Sequence, residues 1–357
     1  MRKQIVCGAS VAIGCFSGAA CAQGSVTLYG TVDSGIQYAN VGGVKTTSAA
    51  SSTDIPNRWG LTGKEPLGGG IFAVFRLENG FNINNGTALQ NGALFGREAW
   101  VGLKSPLGQL QFGVNNTTIN ITLLQDSLGY GWGTAANNFA FIPTLRSSNS
   151  IRYTSPEVKN FTMTVTYALG ANGNATLPRT LGNTTSVGFR YATKNFAADA
   201  NFMTQVYSPA KVVAPGSTTS TGNYALFAVK YDLGFMVAGA LFQMHRGGSA
   251  SGSYSGYANV NNNFYEIAAR VPINLSGLIL SFGQYKDLAS SAGNATSYGV
   301  RYDYALSKQT ILYAGVAGMR NGSAASFSVN STVAVSVPVS VPGSNVTAGI
   351  IGMTHLF

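Results

Sequence analysis

Cysteine, histidine and charge are all scarce in this chain. The three cysteines, Cys7, Cys15 and Cys21, lie at the N-terminus, and only two histidines occur among 357 residues. A transition-metal site built from thiolates and imidazoles is therefore not expected, and no other cofactor is indicated. Charged residues make up 10% of the chain, against roughly 25% in ordinary soluble domains.

Long apolar runs are also missing. After the first 22 residues, no uninterrupted apolar stretch approaches the roughly 20 residues that a membrane-spanning helix needs. Apolar residues at helical spacing are not evident either. A chain that is poor in charge and has no spanning helix is typical of strands with one apolar face, which cross a membrane as a closed barrel.

The N-terminus has the layout of an export signal. Arg2 and Lys3 precede an apolar stretch, which leads to the small residues Ala-Cys-Ala ending at Ala22. This arrangement predicts a secretory signal over 1–22 that is cleaved, leaving a barrel domain over 23–357. The alternative, a lipoprotein anchored through the cysteine of that sequence, is less favoured because the residues before it lack the usual Leu-type side chain.

The charge balance is basic. The mature chain would have 20 basic residues, the 22 of the whole chain less Arg2 and Lys3, against 12 acidic ones, a net charge of +8. These residues are scattered, without a Lys/Arg run or a recognition motif, so nucleic acid is not the expected partner. Anionic solutes or a polyanionic surface fit an exported protein better.

The composition of the mature chain predicts strands and turns along its whole length. Tyr, Phe, Val and Thr dominate short segments that are separated by Asn, Gly, Ser and Pro. Short connections alternate with long polar ones, which is typical of a transmembrane antiparallel barrel with short periplasmic turns and long extracellular loops. We predict an all-β, 16-stranded barrel with strands at 25–38, 57–64, 70–81, 94–104, 109–116, 149–155, 161–169, 184–193, 196–207, 223–233, 235–245, 263–272, 278–287, 296–306, 310–320 and 346–357.

Some strand faces are uniformly apolar or small. Phe235, Val237 and Leu241 share one face of their strand, and such a face is expected to meet lipid, as is the face that carries Ile311 and Tyr313. A soluble β-sandwich would produce the same alternation. The even strand count and the export signal favour the membrane barrel.

The C-terminus carries a further signal. Ile351, Met353, His355 and Phe357 alternate along the last strand and share one face. A strand of this kind that ends the chain on an aromatic residue resembles the closing strand of Gram-negative outer-membrane barrels, in which the terminal Phe is an assembly signal. The resemblance implies that Phe357 closes the barrel.

Several longer segments resemble one family. SVTLYGTVDSGIQYAN, NRWGLTGKEPLGGGIFAVFRLENGFN, LFGREAWVGLKSPLGQLQFG, RSSNSIRYTSP, YALSKQTILYAG and the final HLF are similar to the trimeric general porins of Gram-negative outer membranes, in their β-proteobacterial branch. The resemblance implies a water-filled barrel in the outer membrane, a homotrimer among lipid and lipopolysaccharide, and a third loop, here 117–148, that folds inward.

The same resemblance suggests a pore constriction. Arg58, Arg97 and Arg146 fall on the positions of the family's constriction arginines. Alternation adds neighbours on the same faces, and arginines in mid-strand should avoid lipid and point into the lumen. The rival interpretation is that some of them pair at a rim with Glu98 or Glu65. The full set of candidate constriction residues is Asp33, Arg58, Arg76, Glu78, Arg97, Asp126, Arg146 and Arg152.

The inward loop departs from the family pattern. Porin loops of this kind usually set several carboxylates against the arginines, whereas this one offers only Asp126. Its aromatic residues, Tyr130, Trp132, Phe139 and Phe141, are expected to pack against the wall. An excess of fixed positive charge in a narrow lumen attracts anions, so we predict a diffusion channel for small hydrophilic solutes that is weakly anion-selective.

Other functions have weaker support. A substrate-selective porin would use Arg58, Arg76, Arg97 and Asp126 to hold a carboxylate or phosphate. Catalysis is not expected, because His245 and His355 have no motif neighbours and Gly-x-Ser-x-Gly is absent. An adhesin displayed on the long loops, or a barrel lipase, remains an alternative.

Overall fold

The computed structural model describes residues 24–125, 131–140, 144–170, 178–207, 219–248, 261–329 and 341–357. Within them one antiparallel sheet closes on itself, because β1 pairs with β17 at one side and with β2 and β3 at the other. The predicted signal over 1–22, Asp126, Tyr130 and Phe141 lie outside the described residues. No helix in the described ranges is long and apolar enough to span a membrane.

The sheet has seventeen strands, and from β3 onward short connections alternate with longer ones. Seven connections of two to six residues lie at one rim, beginning with residues 69–70 between β3 and β4. The strands are β1 (Ser25–Val41), β2 (Val44–Ser51), β3 (Arg58–Gly68), β4 (Ile71–Gly80), β5 (Glu98–Ser105), β6 (Gly108–Asn116), β7 (Arg146–Thr154), β8 (Phe161–Ala168), β9 (Thr184–Ala192), β10 (Phe196–Tyr207), β11 (Ser220–Asp232), β12 (Val237–Gly247), β13 (Asn262–Ile273), β14 (Ser276–Asp287), β15 (Ala295–Ala305), β16 (Thr310–Asn321) and β17 (Val346–Leu356).

These strands occupy sixteen positions around the barrel. The 17-residue β1 pairs over its extracellular half with β2 and over its periplasmic half with β3. The two shorter strands therefore form one interrupted wall position, and the predicted 16-stranded antiparallel barrel is confirmed.

The predicted strand bounds leave 39–56 as a connection between the strands at 25–38 and 57–64, but most of this segment is strand. Gly42 and Gly43 both have positive φ values, +56° and +98°, which is the backbone that a tight two-residue hairpin requires. Asn40 Oδ1 also accepts a hydrogen bond from the Gly43 N–H. The chain therefore turns at once into β2 and leaves the wall only between residues 51 and 58.

The barrel exterior is apolar, as the alternation predicted. On β5, Val101 and Leu103 are 60% and 50% exposed, whereas Trp100, on the opposite face of the strand, is buried. Ile351 and Met353 of β17, and Phe357 directly after it, are exposed on the same outer face. Such a face meets the hydrocarbon of a bilayer in a membrane barrel.

Phe357 lies where the barrel closes. Its N–H donates to the Gly30 carbonyl, and its carbonyl accepts from the Gly30 N–H, at 3.1 and 2.9 Å. The Phe357 ring covers Gly30 so closely that a side chain at that position would collide with it.

Two apolar faces were assigned to the wrong side. Leu241 and Tyr313 were expected to face lipid, but both are buried inside the barrel, at 6% and 3% exposure. They belong to an internal core, because the lumen beside them is filled by chain rather than by water.

That filling comes from the third loop, which folds inward as predicted. It contains two helices that the sequence did not reveal, α1 (Thr118–Gln125) and α2 (Ala135–Phe139). Helix α1 packs on β8 to β11, and α2 packs on β13 to β15. Short helices with no apolar stripe are stabilised by such packing rather than by their own pattern.

Candidate functional site

One carboxylate on the inner face of β4 organises a cluster of partners. Glu78 accepts a hydrogen bond from the Tyr29 hydroxyl at 2.8 Å. It also forms ion pairs with Arg97, whose Nε lies 2.6 Å from Oε1, and with Arg58, whose Nε lies 3.7 Å from Oε2. The Arg97 side chain is 4% exposed and that of Arg58 is 25% exposed. Arg97 therefore fixes Glu78, while Arg58 keeps part of its surface toward the lumen.

A second carboxylate organises the neighbouring strands. Glu98 accepts from Trp100 Nε1 at 2.7 Å and from Asn116 Nδ2 at 2.9 Å. Arg76 Nη1 lies 3.3 Å from Glu98 Oε1, and the Arg76 side chain is 40% exposed. An ion pair with this much exposure is only weakly stabilised by its Coulomb attraction. The Arg76 guanidinium therefore still presents positive charge to the lumen.

Arg76 is held by aromatic rings as well as by Glu98. Its guanidinium carbon lies 5.8 Å from the centre of the Tyr29 ring and 6.0 Å from that of Trp100. Guanidinium groups favour such positions near aromatic faces. These contacts set the direction in which Arg76 points without neutralising it.

These strands border a cavity of about 540 Å³ on the inner side of the barrel. Across the cavity, α1 contributes Ile121, Leu124 and Gln125. The cavity wall has four cations and one carboxylate: Lys64, Arg76, Lys104, Arg152 and Glu98. We call the inner faces of β3 to β7 the basic wall.

Only some of the predicted constriction residues border the cavity. Arg76 and Arg152 border the cavity, and Arg58 and Glu78 lie next to it. Arg146 begins β7 opposite Asn116, whose amide donates to Glu98.

Asp33 lies on the inner side but is fully buried. Its carboxylate accepts hydrogen bonds from Thr53, Tyr313 and Thr354, and its backbone N–H donates to Asn57. Through these contacts it fixes the interruption between β2 and β3, so its burial does not favour a place on the pore surface.

Sequence reasoning missed two cations of the cavity. Lys64 lies six residues beyond Arg58 on β3, and Lys104 lies six residues beyond Glu98 on β5. Alternation puts residues six apart on the same face, so both could have been found from the strands already predicted.

The opposite side of the lumen contains ion pairs and an apolar core. Arg301 pairs with Asp54 at 2.5 Å and with Asp303 at 2.8 Å, and Arg190 pairs with Asp199 at 3.2 Å.

On the same side, Phe139 of α2 packs on aromatic rings at centroid distances of 5.1 to 6.2 Å. Its partners are Phe264, Tyr285 and Phe327. We call the inner faces of β9 to β17, with the chain packed on them, the packed wall.

Trp132 and Phe139 of the third loop were expected to pack rather than to bind solute, and they do. Trp132 is 1% exposed and donates from Nε1 to Gln37 Oε1 at 2.8 Å, and Phe139 is fully buried. The other two aromatic residues named for this role, Tyr130 and Phe141, lie outside the described residues. Aromatic packing of the loop is thereby confirmed for Trp132 and Phe139.

A closed sixteen-position barrel with an apolar exterior, an inward loop and a charged internal cavity defines the class of membrane-spanning barrels that form pores. A family profile described as Gram-negative porin matches residues 9–324. The chain belongs to the Gram-negative porin family, and its place is the outer membrane.

Similar proteins extend over nearly the whole chain. An outer membrane porin protein of Bordetella pertussis is 30% identical, over 88% of this chain and 93% of its own length. Outer membrane porin protein 32 of Delftia acidovorans is 28% identical over all of both chains. Both are named as porins, that is, as channels rather than enzymes.

Solved structures share the fold. The anion-selective porin from Comamonas acidovorans is similar with a TM-score of 0.76 and 22% identity, covering 94% of this chain and 100% of its own. OmpT of Vibrio cholerae in its trimer form is similar with a TM-score of 0.66 and 13% identity, covering 94% and 99%.

Proposed function

We propose that this porin is a passive diffusion channel for small hydrophilic solutes and ions, with a weak preference for anions. The observation that carries the preference is the cavity along the basic wall, where four cations face one carboxylate. The similar porin from Comamonas acidovorans is itself described as anion-selective.

The physical basis is the local electrostatic potential. One unit charge about 7 Å away changes the energy of a monovalent ion by roughly 0.6 kcal/mol even at the dielectric constant of water, a factor of about three in concentration. Several unneutralised cations in one confined space add their effects, and low-dielectric walls strengthen them. Anions are thereby enriched and cations are depleted.

The candidate constriction residues have separate proposed roles. Arg76 and Arg152, with Arg58 and Arg146, supply positive potential along the path. Glu78 and Arg97 position Arg58, and Asp126 is the loop's single acidic contribution. Asp33 supports the barrel wall from within. No bond is made or broken in this function, and we assign the chain no enzymatic activity.

The assembly and processing of the chain are also proposed. Removal of 1–22 would leave residues 23–357 as the barrel domain, with Phe357 as the assembly signal. A homotrimer is supported by the trimer form of the similar OmpT. The apolar exterior would contact outer-membrane lipid and lipopolysaccharide.

The test is the reversal potential of the refolded mature protein in a planar bilayer across a salt gradient. We expect an anion-side potential, and we expect it to fall toward zero when Lys64, Arg76, Lys104 and Arg152 are all replaced by Gln. Arg320→Gln is the matched control, because Arg320 is an exposed cation on the outer face of β16. A cation-side potential of the wild type would contradict the proposal.

The same recordings test the trimer. Three equal pores in one assembly should close in three equal current steps under a high voltage. Closure of each inserted unit in a single step would contradict a trimer of independent pores while leaving the channel function intact.

A further inference from the structure

A polar cluster lies on the outer face of the barrel at the extracellular ends of β12 to β14. Arg246 Nη2 donates to Asn263 Oδ1 at 2.7 Å, and Asn263 Nδ2 donates to the Tyr265 hydroxyl at 3.2 Å. Lys286 stands directly opposite Asn263 in the β13–β14 register. All four belong to the outward series of their strands. On β12, β13 and β14 this series includes the exposed residues Ala240, Tyr265 and Phe282, the last two at 44% and 43% exposure.

Arg246 is fixed in place by the backbone. Its Nη1 donates to the carbonyls of His245 and Asn262, both at 2.7 Å. Three of the five guanidinium N–H donors are therefore used within the described residues, which leaves Nε and one Nη2 hydrogen for another acceptor. A guanidinium held in this way is preorganised for an anion.

The charge of this patch is not balanced on its own face. On β12, β13 and β14 the acidic residues are Glu266 and Asp287. Both are buried members of the inward series, at 5% and 8% exposure. Arg246 and Lys286 therefore present positive charge to the exterior with no carboxylate beside them on the outer face of these three strands.

An apolar groove begins just below the patch. It has a volume of about 460 Å³. Its floor is Ala240, which lies between Val229 and Ile267 in the sheet register. Its upper edge is a row of rings in which Phe242 lies 6.3 Å from Phe227 and 5.1 Å from Tyr265, measured between centroids.

The distance between the patch and the groove suits a lipid whose headgroup lies on the patch and whose acyl chain lies in the groove. Ala240 and Arg246 are six residues apart on one strand, roughly 20 Å at about 3.4 Å per residue. The groove would hold an acyl chain at the depth of the hydrocarbon, and the cations would lie at the depth of the outer headgroups. Phosphate is the anion that suits an Arg-Lys pair, because it has several strong acceptor oxygens and more than one charge.

We propose that the outer face of β11 to β14 binds a phosphate-bearing lipid of the outer leaflet, with its phosphate on Arg246 and Lys286 and an acyl chain in the groove over Ala240. This deepens the proposed contact with lipopolysaccharide and rests on the proposed outer-membrane channel and its orientation. The site lies outside the lumen, so it does not depend on which ions the channel prefers.

The experiment measures lipid retention by the refolded mature protein in detergent, using native mass spectrometry. The probes are bisphosphorylated lipid A, the same lipid with its phosphates removed, and inorganic phosphate alone. We expect retention of the bisphosphorylated lipid and about tenfold weaker retention by the double variant Arg246→Gln/Lys286→Gln, the effect of losing charge-assisted hydrogen bonds. Arg320→Gln is the matched control and should retain the lipid as the wild type does.

A second variant tests the groove without altering charge. Ala240→Phe should fill the floor of the groove and weaken retention of the lipid. Equal retention of the phosphorylated and dephosphorylated lipids would overturn the proposal, as would equal binding of inorganic phosphate alone or wild-type retention by the double variant.

Single-channel conductance of the same preparations distinguishes failure of the lipid site from failure of the proposed channel. Wild-type conductance in the variants shows that they are folded. Normal conductance with lipid retention indifferent to Arg246 and Lys286 overturns only the lipid site, whereas absence of conductance in every preparation, the wild type included, overturns the proposed channel.

Discussion

The two sides of the lumen have the same strand geometry but differ in their charge balance and in how much of the adjacent space is filled by protein. At the basic wall, the carboxylates Glu78 and Glu98 are outnumbered by the cations Arg58, Lys64, Arg76, Arg97, Lys104, Arg146 and Arg152. On the packed wall, Arg190 and Arg301 each have an acidic partner, and the space is filled by α2 and Phe327. One side leaves a charged cavity open, and the other supports the loop that confines that cavity.

This difference explains how an inward loop can be fixed without closing the pore. Helix α1 borders the cavity through Ile121 and Leu124 while its buried side packs toward β9 and β10. Asn201 Nδ2 donates to Thr122 Oγ1 at 2.9 Å, and Ala135 N–H donates to Ser281 Oγ at 2.8 Å. The loop is thus attached to the packed wall by hydrogen bonds and apolar contacts, and the basic wall stays accessible.

The largest expected effect comes from removing the centre of the packed wall. Phe139→Ala deletes a fully buried ring that packs on Phe264, Tyr285 and Phe327. Replacement of such a ring typically lowers the free energy of unfolding by about 3–5 kcal/mol. Denaturant unfolding in detergent should show this, with the fluorescence of buried Trp132 reporting detachment of the loop.

Its control is Phe235→Ala. Phe235 is 69% exposed between β11 and β12, and its replacement should change the free energy of unfolding by less than about 1 kcal/mol. Equal stability of the two variants would mean that the aromatic cluster does not hold the loop.

The next effect concerns the carboxylate at the centre of the basic wall. Glu78→Gln leaves the buried Arg97 guanidinium without its ion-pair partner. Removal of one member of a buried pair typically costs about 3 kcal/mol or more. Unfolding should become easier, while the channels that still fold should favour anions more strongly because a negative charge has been removed.

Glu65→Gln provides the matched comparison, since Glu65 is exposed near the periplasmic end of β3. Its unfolding should match the wild type. A stability of Glu78→Gln equal to that of Glu65→Gln would show that Arg97 finds compensation elsewhere.

The sequence predicted the outside of the barrel better than the inside. Strand positions and the lipid-facing series follow from a period of two, which the bilayer imposes on every strand. The inner face has no such uniform solvent, because the packed wall contacts protein and the basic wall borders a cavity. Leu241 and Tyr313 were therefore placed in lipid on a rule that fails where the lumen is filled.

Pairing within the site could not be predicted from the sequence. Arg76 and Glu78 share a strand face, but Arg76 pairs with Glu98 of the next strand, and Glu78 pairs with Arg58 and Arg97. These partners depend on the register between strands, which one-residue shifts would change. The interruption after β2 was missed for a related reason, since it depends on the contacts of buried Asp33 and Asn57.

A smaller effect is expected from one charge on the basic wall. Arg76→Gln removes a guanidinium that borders the cavity between the Tyr29 and Trp100 rings. We expect the anion-to-cation permeability ratio to fall by up to roughly sevenfold, because one unit charge about 7 Å away in a water-like medium changes the energies of an anion and of a cation by roughly 0.6 kcal/mol each, in opposite directions. Arg76→Lys keeps the charge and should keep most of the ratio, so an equal fall in both variants would point to lost geometry rather than lost charge.

The smallest effect should come from the two lysines at the periplasmic end of the basic wall. Lys64 and Lys104 are exposed, and Lys64 Nζ lies 3.7 Å from the centre of the Phe72 ring. Because salt at 0.1 M screens charges over about 10 Å, Lys104→Gln should lower the permeability ratio by less than about twofold, and by nothing measurable at about 1 M salt, where screening acts within about 3 Å. An effect as large as that of Arg76→Gln would place the selective part of the path at the periplasmic mouth, and the distinction between the two walls would then matter less than depth along the pore.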